Sequence, residues 1–379
     1  MKADIVIIGA GISGAVLAQK YAAIGKKVLI IEKRNHIAGN CYDYIDDNGI
    51  LVSKYGAHLF HTNDQQVWNY VNKFCQWYPW EHKVIADVEG KLVPIPVNIT
   101  TVNNLFDTAI ASEAEMAVWL DKNREFIASP KNGKEAALNK VGAVLYEKMF
   151  RHYTKKQWDK YPEELDASVL DRIPVRTNYD DRYFSDTFQA LPEGGYTKLF
   201  EAILNHPNIE ILLDTDFFDI RDDVSGYEKL FYTGPIDRFF EFKHSLEDKL
   251  EYRSINFVSE TIDTEYFQQN SVVNYPGNEV EFTRIIEYKH FGNQQSSKTT
   301  VVKEFTTDEG DPYYPVPNDK NQLIYEKYRK DAEALTDVYF VGRLANYKYF
   351  NMDQAFKNAL DLFSQLEASP ELSKTDNVL

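Results

Sequence analysis

Two apolar runs near the N-terminus flank a glycine-rich turn and a helix-like stretch. Ile5-Val6-Ile7-Ile8 leads directly into Gly9-Ala10-Gly11-Ile12-Ser13-Gly14, and Val28-Leu29-Ile30-Ile31 ends at Glu32. Short continuous apolar runs bounded by turn residues indicate buried strands. This part of the chain therefore predicts a strand–turn–helix–strand unit.

Apolar spacing predicts further elements of both kinds along the chain. Helical periodicity covers residues 114–126 and 134–153. Strands are expected at 209–220, 228–233, 279–287 and 298–305, and a short edge hairpin at 81–96. Near the C-terminus, Val338-Tyr339-Phe340-Val341 predicts a buried strand that ends at Gly342, and a helix follows from Met352.

The glycine spacing of the first unit is typical of a dinucleotide-binding site. Gly9 permits the tight turn, Gly11 lets the backbone approach a pyrophosphate, and Gly14 lets the helix pack closely on the strand. Ser13 belongs to the same turn, and Glu32 stands where an acid binds a ribose hydroxyl. The alternative is a chance glycine turn, but the flanking strand, the helix and the acid at the right distance favour the site.

The residues after Glu32 favour FAD over NAD as the dinucleotide. Lys33 opens a basic turn that ends in Gly39-Asn40. Such a second small-residue loop suits an extended FAD, and a nicotinamide-binding domain usually does not need it. The C-terminal strand, Gly342 and the helix N-terminus form another anion-friendly arrangement, suited to the flavin end of the cofactor.

Composition excludes several classes of protein. The net charge of −16 argues against a nucleic-acid surface, so an anionic substrate would require locally placed arginines. The chain contains no apolar run of membrane-spanning length and no leader pattern, and two unpatterned cysteines indicate a reducing compartment. We therefore expect a cytoplasmic protein without membrane insertion. A metal site is not expected, because His58 and His61 have no third ligand close in sequence.

The nucleotide-binding segments lie at opposite ends of the 379-residue chain, with helical and strand-rich stretches between them. The expected fold class is α/β, a Rossmann-like FAD-binding domain of the glutathione-reductase type with an inserted helical domain and an antiparallel β-sheet domain. The FAD-binding domain would comprise residues 1–80, 193–240 and 312–379, the helical domain 100–170, and the antiparallel-sheet substrate domain 81–99, 171–192 and 241–311.

Several other segments carry a more specific pattern. They are Lys54-Tyr55-Gly56-Ala57-His58-Leu59-Phe60-His61-Thr62, Tyr153-Thr154-Lys155-Lys156-Gln157-Trp158, Arg172-Ile173-Pro174-Val175-Arg176, Asp180-Asp181-Arg182-Tyr183-Phe184 and Asn346-Tyr347-Lys348-Tyr349-Phe350-Asn351-Met352-Asp353. Together with the N-terminal glycine motif, they resemble the bacterial UDP-galactopyranose mutase family over nearly the full length of the chain. Unrelated flavoproteins share only the glycine motif.

The resemblance implies an isomerase that interconverts UDP-galactopyranose and UDP-galactofuranose, as in galactofuranose biosynthesis for cell-wall polysaccharide. In that family, reduced FAD attacks the anomeric carbon of galactose through N5, and UDP departs. The flavin–sugar adduct opens to an iminium and recloses as a furanose, and UDP then returns without net electron transfer. A homodimer and an external reductant such as NAD(P)H are also implied.

The resemblance also implies roles for individual residues. Arg172 and Arg284 would bind the diphosphate, for which the permanently charged, planar guanidinium is well suited. These two arginines are the expected catalytic residues, with His58, whose loop would reach the flavin. The implied substrate-binding residues further include Phe150 and Asn274 at the uracil, Trp158 at the galactose, and Tyr153, Tyr183, Tyr314 and Tyr349 near the phosphates.

The implied flavin contacts near the C-terminus are Gly342, Arg343, Asn351 and Met352. Asn351 departs from the family pattern, because many members carry an acid at this position. A neutral amide could bond to a sugar hydroxyl, but it could not act as a base.

Other functions remain open at this stage. A mutase acting also or mainly on UDP-N-acetylgalactosamine differs only in the shape of the sugar pocket. A flavin amine oxidase-like oxidoreductase would need an apolar substrate cavity. A flavin- or nucleotide-sensing protein without catalysis would not need arginine and tyrosine side chains converging beside the flavin.

Overall fold

The computed structural model describes residues 3–242, 249–292 and 294–368. Its strands are β1 Ile5–Ile8, β2 Val28–Ile31, β3 Asp43–Ile45, β4 Leu51–Ser53, β5 Phe60–Thr62, β6 Trp77–Pro79, β7 Val84–Val88, β8 Lys91–Ile95, β9 Phe188–Pro192, β10 Ile209–Leu212, β11 Lys229–Tyr232, β12 Tyr252–Ile262, β13 Val272–Asn274, β14 Arg284–Glu287, β15 Thr299–Thr307, β16 Tyr314–Pro315 and β17 Val338–Phe340.

The helices are α1 Ile12–Ala23, α2 Gln65–Val71, α3 Ile99–Phe106, α4 Glu113–Asn123, α5 Gly133–Leu145, α6 His152–Trp158, α7 Ser168–Asp171, α8 Tyr196–Leu204, α9 Phe217–Ile220, α10 Ile236–Phe239, α11 Asp319–Glu333 and α12 Met352–Glu367. Within the described ranges, no helix is long and apolar enough to cross a membrane.

A five-stranded parallel sheet with the order β10-β2-β1-β11-β17 brings the two ends of the chain together. Every residue of β1 and β2 is buried, because packed side chains cover both faces of the sheet. Helices α1 and α12 pack against each other over one face, and α12 turns Phe356, Leu360 and Phe363 into that core. The predicted N-terminal unit and the helix from Met352 are confirmed. The strand before Gly342 is present, but it ends at Phe340 and is half-buried instead of buried, because β17 lies at the edge of the sheet.

A seven-stranded sheet with the order β16-β12-β15-β14-β13-β7-β8 forms the second layer. Its hairpin β7–β8 confirms the prediction for residues 81–96, and β8, which contains Pro94, lies at the edge. In the centre, β13 pairs with β14 and β14 with β15, so that Asn274, Arg284 and Glu304 stand opposite one another. Residues opposite each other in a sheet share a face, and this places three polar side chains in one row.

Two of the predicted elements are wrong over part of their length. Residues 209–220 form a strand only as far as Leu212, because Asp214 adopts a positive φ of 51° and Asp216 caps α9. The expected strand at 279–287 is restricted to Arg284–Glu287. The carbonyl groups of Val280 and Phe282 accept hydrogen bonds from the Lys156 ammonium instead of from a neighbouring strand.

The predicted helix at 134–153 is interrupted twice. Gly142 has φ +77° and ψ 175°, and the next turn, Tyr146–Arg151, is a π-helix that leads into α6. A side chain at position 142 would meet the Asn123 carbonyl at 2.0 Å, so the close approach of α4 requires glycine. Single π-helical turns are frequent at functional sites, and this one carries Phe150.

Candidate active site

A groove runs along the carboxyl ends of β1, β2 and β11 and along the segment that follows β17. All the predicted cofactor-binding residues except Gly14 line it, namely Gly9, Gly11, Ser13, Glu32, Lys33, Gly39, Asn40, His58, Gly342, Arg343, Asn351 and Met352. The carboxyl ends of parallel strands are where open α/β sheets bind ligands. Gly14 lies below the groove, where a Cβ would be 2.0 Å from the Gly9 carbonyl oxygen, as expected for close helix–strand packing.

The turns at the groove leave no space for side chains. Gly9 has φ +104°, and a Cβ there would meet Thr233 Oγ1 at 2.2 Å. Gly39, with φ +56°, would bring a Cβ to 2.8 Å from the Gly11 Cα. Backbone N–H groups at the start of α1 are therefore open to an anion, an arrangement that suits a pyrophosphate.

Glu32 is buried beside this turn, and both of its carboxylate oxygens are engaged. Oε2 accepts a hydrogen bond from the Ala10 N–H at 2.8 Å, and Oε1 accepts one from the Arg34 N–H at 2.9 Å. A carboxylate oxygen has further lone-pair capacity. Glu32 can thus hold the loop and still accept a bond from a ribose hydroxyl.

His58 lies where the groove meets the seven-stranded sheet. Its Nδ1 lies 2.9 Å from the Gly56 carbonyl oxygen, which can only accept, so Nδ1 carries the hydrogen. Withdrawal from solvent, together with the nearby Arg343 and Arg284 guanidiniums, lowers the pKa of His58 to about 4. The ring is therefore neutral at neutral pH, and Nε2 keeps its lone pair.

Arginines and tyrosines converge at this end of the groove. The Arg172 guanidinium lies 4.4 Å from the centre of the Tyr349 ring, although Arg172 remains partly accessible to solvent. Arg343 lies 5.2 Å and 5.3 Å from the rings of Tyr349 and Tyr314, which stack on each other with their centres 5.7 Å apart. Arg343 also lines the groove, so this cluster is continuous with it.

The cluster perturbs the tyrosine hydroxyls in opposite directions. Burial raises the pKa of Tyr349, but the Arg172 and Arg343 guanidiniums more than offset it, and the net pKa is lowered. Burial and Tyr349 raise the pKa of Tyr314 to about 12. The Tyr314 hydroxyl is therefore protonated at neutral pH and can donate a hydrogen bond to a phosphate oxygen.

Arg284 lies near the same tyrosines and belongs to the row that Asn274, Arg284 and Glu304 form in the seven-stranded sheet. Its Nε donates a hydrogen bond of 2.6 Å to Oε2 of Glu304, which is 2% exposed. The other oxygen, Glu304 Oε1, has no partner among the described residues. Glu304 was missed in the sequence because it is one acid in a strand, and only the β14–β15 register brings it to Arg284.

The remaining predicted substrate residues lie around this row. Asn274 stands opposite Arg284 in the sheet, and its Oδ1 also lacks a partner. Tyr153 on α6 and Tyr183 are both half-buried, and burial raises their pKa values while Arg284 acts in the opposite direction.

Trp158 and Phe150 pack against apolar clusters, Trp158 as a buried residue and Phe150 as a half-buried one. Trp158 packs with Leu165, Val169 and Val316 and reaches the cluster through Tyr314, with the ring centres 6.4 Å apart. Phe150 packs against the apolar clusters of the helical segment.

The groove also contains residues that sequence reasoning did not identify. Thr233, Gly234 and Pro235 follow β11 directly, and Asp311 bonds to the side chains of both Lys33 and Arg34. The position of Thr233 at the carboxyl end of a buried strand was a usable signal. The pairing of Asp311 with Lys33 and Arg34 gave no signal in the sequence, because these residues are far apart in the chain.

Comparisons with known proteins agree with this geometry. The family model described as "UDP-galactopyranose mutase" matches residues 148–349, and a Rossmann-like NAD(P)-binding model matches residues 7–74. A probable UDP-galactopyranose mutase from Klebsiella pneumoniae is 38% identical over 378 residues, which are 97% of each chain. The chain belongs to the UDP-galactopyranose mutase family.

Other relatives of this UDP-galactopyranose mutase family member show both the fold and a variation in substrate. A dTDP-fucopyranose mutase from Escherichia coli is also 38% identical, over 94% of this chain and 96% of that one. A solved structure of a reduced UDP-galactopyranose mutase shares the fold, with a TM-score of 0.77 and 18% identity over 98% of this chain and 97% of that one. The predicted family, its enzymatic character and the fold class are confirmed.

Proposed function

We propose that the protein interconverts UDP-galactopyranose and UDP-galactofuranose. The convergence of Arg172, Arg284 and Arg343 with paired tyrosines at one end of a dinucleotide groove supports this proposal most strongly. A sensor of flavin or nucleotide would not require these side chains to converge. An amine oxidase would require an apolar cavity in place of three guanidiniums.

The groove fits FAD by its own geometry. The glycines at positions 9, 11 and 39 clear the backbone for a pyrophosphate, and Glu32 is free to accept from a ribose hydroxyl. When bound and reduced, FAD supplies a nucleophilic nitrogen, N5, for the anomeric carbon of the sugar without net electron transfer.

The arginines then serve the departing and returning UDP. Negative charge develops on the diphosphate as its bond to the sugar breaks, and fixed guanidiniums stabilise that charge without losing a proton. We assign Arg172 and Arg284 to the diphosphate, with the hydroxyls of Tyr314 and Tyr349 as further donors. Glu304 holds the Arg284 guanidinium in place through Nε and leaves its terminal nitrogens for phosphate.

His58 and Asn351 act as neutral groups in this scheme. Because its Nδ1 hydrogen bonds to Gly56, His58 can accept a hydrogen bond at Nε2 from the flavin or from a sugar hydroxyl. Asn351 lines the groove at the start of α12 and can bond to a hydroxyl. Neither residue adds charge to a site that is already cationic.

The test is turnover of UDP-galactofuranose by the FAD-loaded protein, followed by chromatography with and without dithionite. We expect conversion to UDP-galactopyranose only when the flavin absorbance is bleached. Absence of conversion in both states, with FAD and UDP still bound, would exclude this activity.

The dTDP-fucopyranose mutase relative supports a second candidate substrate. It is as similar to this chain as the UDP-galactopyranose mutase from Klebsiella pneumoniae, so overall identity does not separate the two nucleotide sugars. The same assay with dTDP-fucose and UDP-N-acetylgalactosamine ranks the substrates by kcat/KM. The homodimer, the NAD(P)H reductant, the role in cell-wall polysaccharide and the cytoplasmic location stay predictions.

A further inference from the structure

His82 is a buried histidine to which the proposed reaction assigns no role. It lies two residues before β7 and is 3% exposed, and its backbone carbonyl accepts a hydrogen bond of 2.7 Å from the Tyr183 N–H. Its side-chain Nδ1 is buried without a hydrogen-bond partner among the described residues. Buried polar atoms are nearly always paired in folded proteins, so such an atom calls for an explanation.

The surroundings of His82 connect it to the candidate active site. Its ring meets the Tyr183 ring edge-on with centres 5.9 Å apart, and Phe184 and Phe291 pack at 6.2 Å on other sides. Arg284 is close enough to influence its charge, as is His61. His82 therefore lies beside a tyrosine and an arginine that we assign to the substrate.

Other atoms without partners surround Arg284. Asn274 Oδ1 and Glu304 Oε1, on the residues opposite Arg284 in the sheet, are buried and, like His82 Nδ1, have no hydrogen-bond partner in the described part of the chain. Unpaired polar groups on three separate segments around one guanidinium indicate a ligand that supplies several partners at once.

The charge state of His82 restricts which part of that ligand it can bind. Burial, together with the nearby Arg284 and His61, lowers the pKa of His82 to about 3. A neutral imidazole is a poor partner for a diphosphate that has arginines at hand. It is a good partner for a hydroxyl, which can both donate and accept.

We propose that His82 is a specificity-determining residue that hydrogen bonds to a hydroxyl group of the sugar. The inference rests on the proposed function, because it takes the ligand at Arg284 to be a nucleotide sugar. Among the described residues His82 Nδ1 has no polar partner, so a sugar that lacks this hydroxyl would leave that nitrogen unpaired and bind more weakly.

The experiment uses the FAD-loaded, dithionite-reduced protein and the variants His82→Phe and His82→Asn. Phenylalanine keeps a ring and removes the hydrogen bond, whereas asparagine supplies an amide that can form a hydrogen bond. We expect His82→Phe to lower kcat/KM for UDP-galactose about 10-fold and His82→Asn to recover part of the loss. The affinity for UDP, which lacks the galactose, should stay within about twofold of wild type.

Deoxy analogues of UDP-galactose identify the hydroxyl and separate the outcomes. The substrates are the 2-, 3- and 6-deoxy compounds, which keep the O4 that closes the furanose ring. For one of them, wild type and His82→Phe should have equal kcat/KM, because the partner hydroxyl is already absent. Three results would each show that His82 acts only in packing. His82→Phe could lower kcat/KM equally for all the analogues, leave kcat/KM unchanged, or lower the affinity for UDP in parallel.

A failure of the proposed function would look different. Wild-type protein would then not convert UDP-galactose or UDP-galactofuranose at all, whatever residue occupies position 82. In that case the affinities of wild type and His82→Phe for the analogues and for dTDP-fucose are compared directly. If the ratio of the wild-type affinity to the His82→Phe affinity were the same for all the analogues, the role of His82 would be overturned independently of turnover.

Discussion

At the scale of single residues, the site depends on pairing charges that are partly or wholly buried. Arg284 and Glu304 form a close ion pair across two strands, and Glu304 is almost completely buried. Breaking such a pair from one side is costly because it leaves an uncompensated charge, which is worse than replacing both partners. Arg284 therefore has a structural role as well as the proposed binding role.

Arg284→Lys separates these two roles. Lysine keeps the positive charge beside Glu304 but lacks the planar fork that binds phosphate oxygens in pairs. We expect kcat/KM for UDP-galactofuranose to fall about 100-fold or more, corresponding to roughly 3 kcal/mol, while the flavin absorbance is retained. Steady-state kinetics and the FAD-to-protein ratio measure the two effects.

The control for this prediction is Arg329→Lys. Arg329 lies on α11 and pairs with Glu326 and Glu333 at the surface, away from the site. The Arg329→Lys variant should have the kcat/KM and the FAD-to-protein ratio of wild type. Near-normal rates in Arg284→Lys would contradict the assignment of Arg284 to the diphosphate.

At the scale of elements, one lysine connects the helical segment to the seven-stranded sheet. The Lys156 ammonium on α6 donates to the carbonyls of Tyr275, Val280 and Phe282, at 2.5, 3.2 and 3.1 Å. Its burial lowers the pKa of the ammonium to about 8, so it is still charged at neutral pH. These carbonyls belong to the connection between β13 and β14, which carries Asn274 at one end and Arg284 at the other.

Lys156→Met should loosen this connection. We expect a higher KM for UDP-galactose and a free energy of unfolding lower by about 2 kcal/mol, because charged hydrogen bonds to half-buried carbonyls are lost. Urea denaturation and steady-state kinetics are the measurements. The adjacent Lys155 pairs with Asp159 at the surface and lies over the Tyr161 ring, so Lys155→Met should change stability by less than about 0.5 kcal/mol. Identical effects of the two substitutions would rule out the bridging role.

At the scale of the whole molecule, the cofactor groove is assembled from segments far apart in the chain. Its lining extends from Ile8 to Ala355, and residues after β1, β2 and β11 meet there with the start of α12. A ligand that touches all these segments binds the folded state and not the unfolded chain. FAD should accordingly stabilise the global fold and not only its own site.

Thermal unfolding with and without FAD tests this. At a free FAD concentration 100 times Kd, the folded state should gain about 2.7 kcal/mol. Glu32→Gln should reduce this gain, because it weakens the contact that we expect with the ribose. The control Glu228→Gln removes a surface partner of Lys26 and should leave the gain unchanged. If FAD increased the free energy of unfolding of Glu32→Gln as much as that of wild type, the result would count against the ribose contact.

Local patterns in the sequence were sufficient to predict the nucleotide-binding half of the molecule. The glycine turn, the buried strands and Glu32 lie within about thirty residues, and the conformations they need depend on near neighbours. Conversely, the strand expected through residue 220 ended early, and the long helix at 134–153 was interrupted at Gly142. In both places a positive φ or a distant partner outweighed the apolar spacing.

By itself, the sequence determined the family, the cofactor groove and which arginines and tyrosines were candidates for the substrate. Only the tertiary structure decided which side chains face one another. Glu304 reaches Arg284 through strand register, and Lys156 reaches the β13–β14 connection through helix packing. His82 lies beside Tyr183 because two distant segments pair. Such contacts join residues far apart in the chain, so no local pattern encodes them.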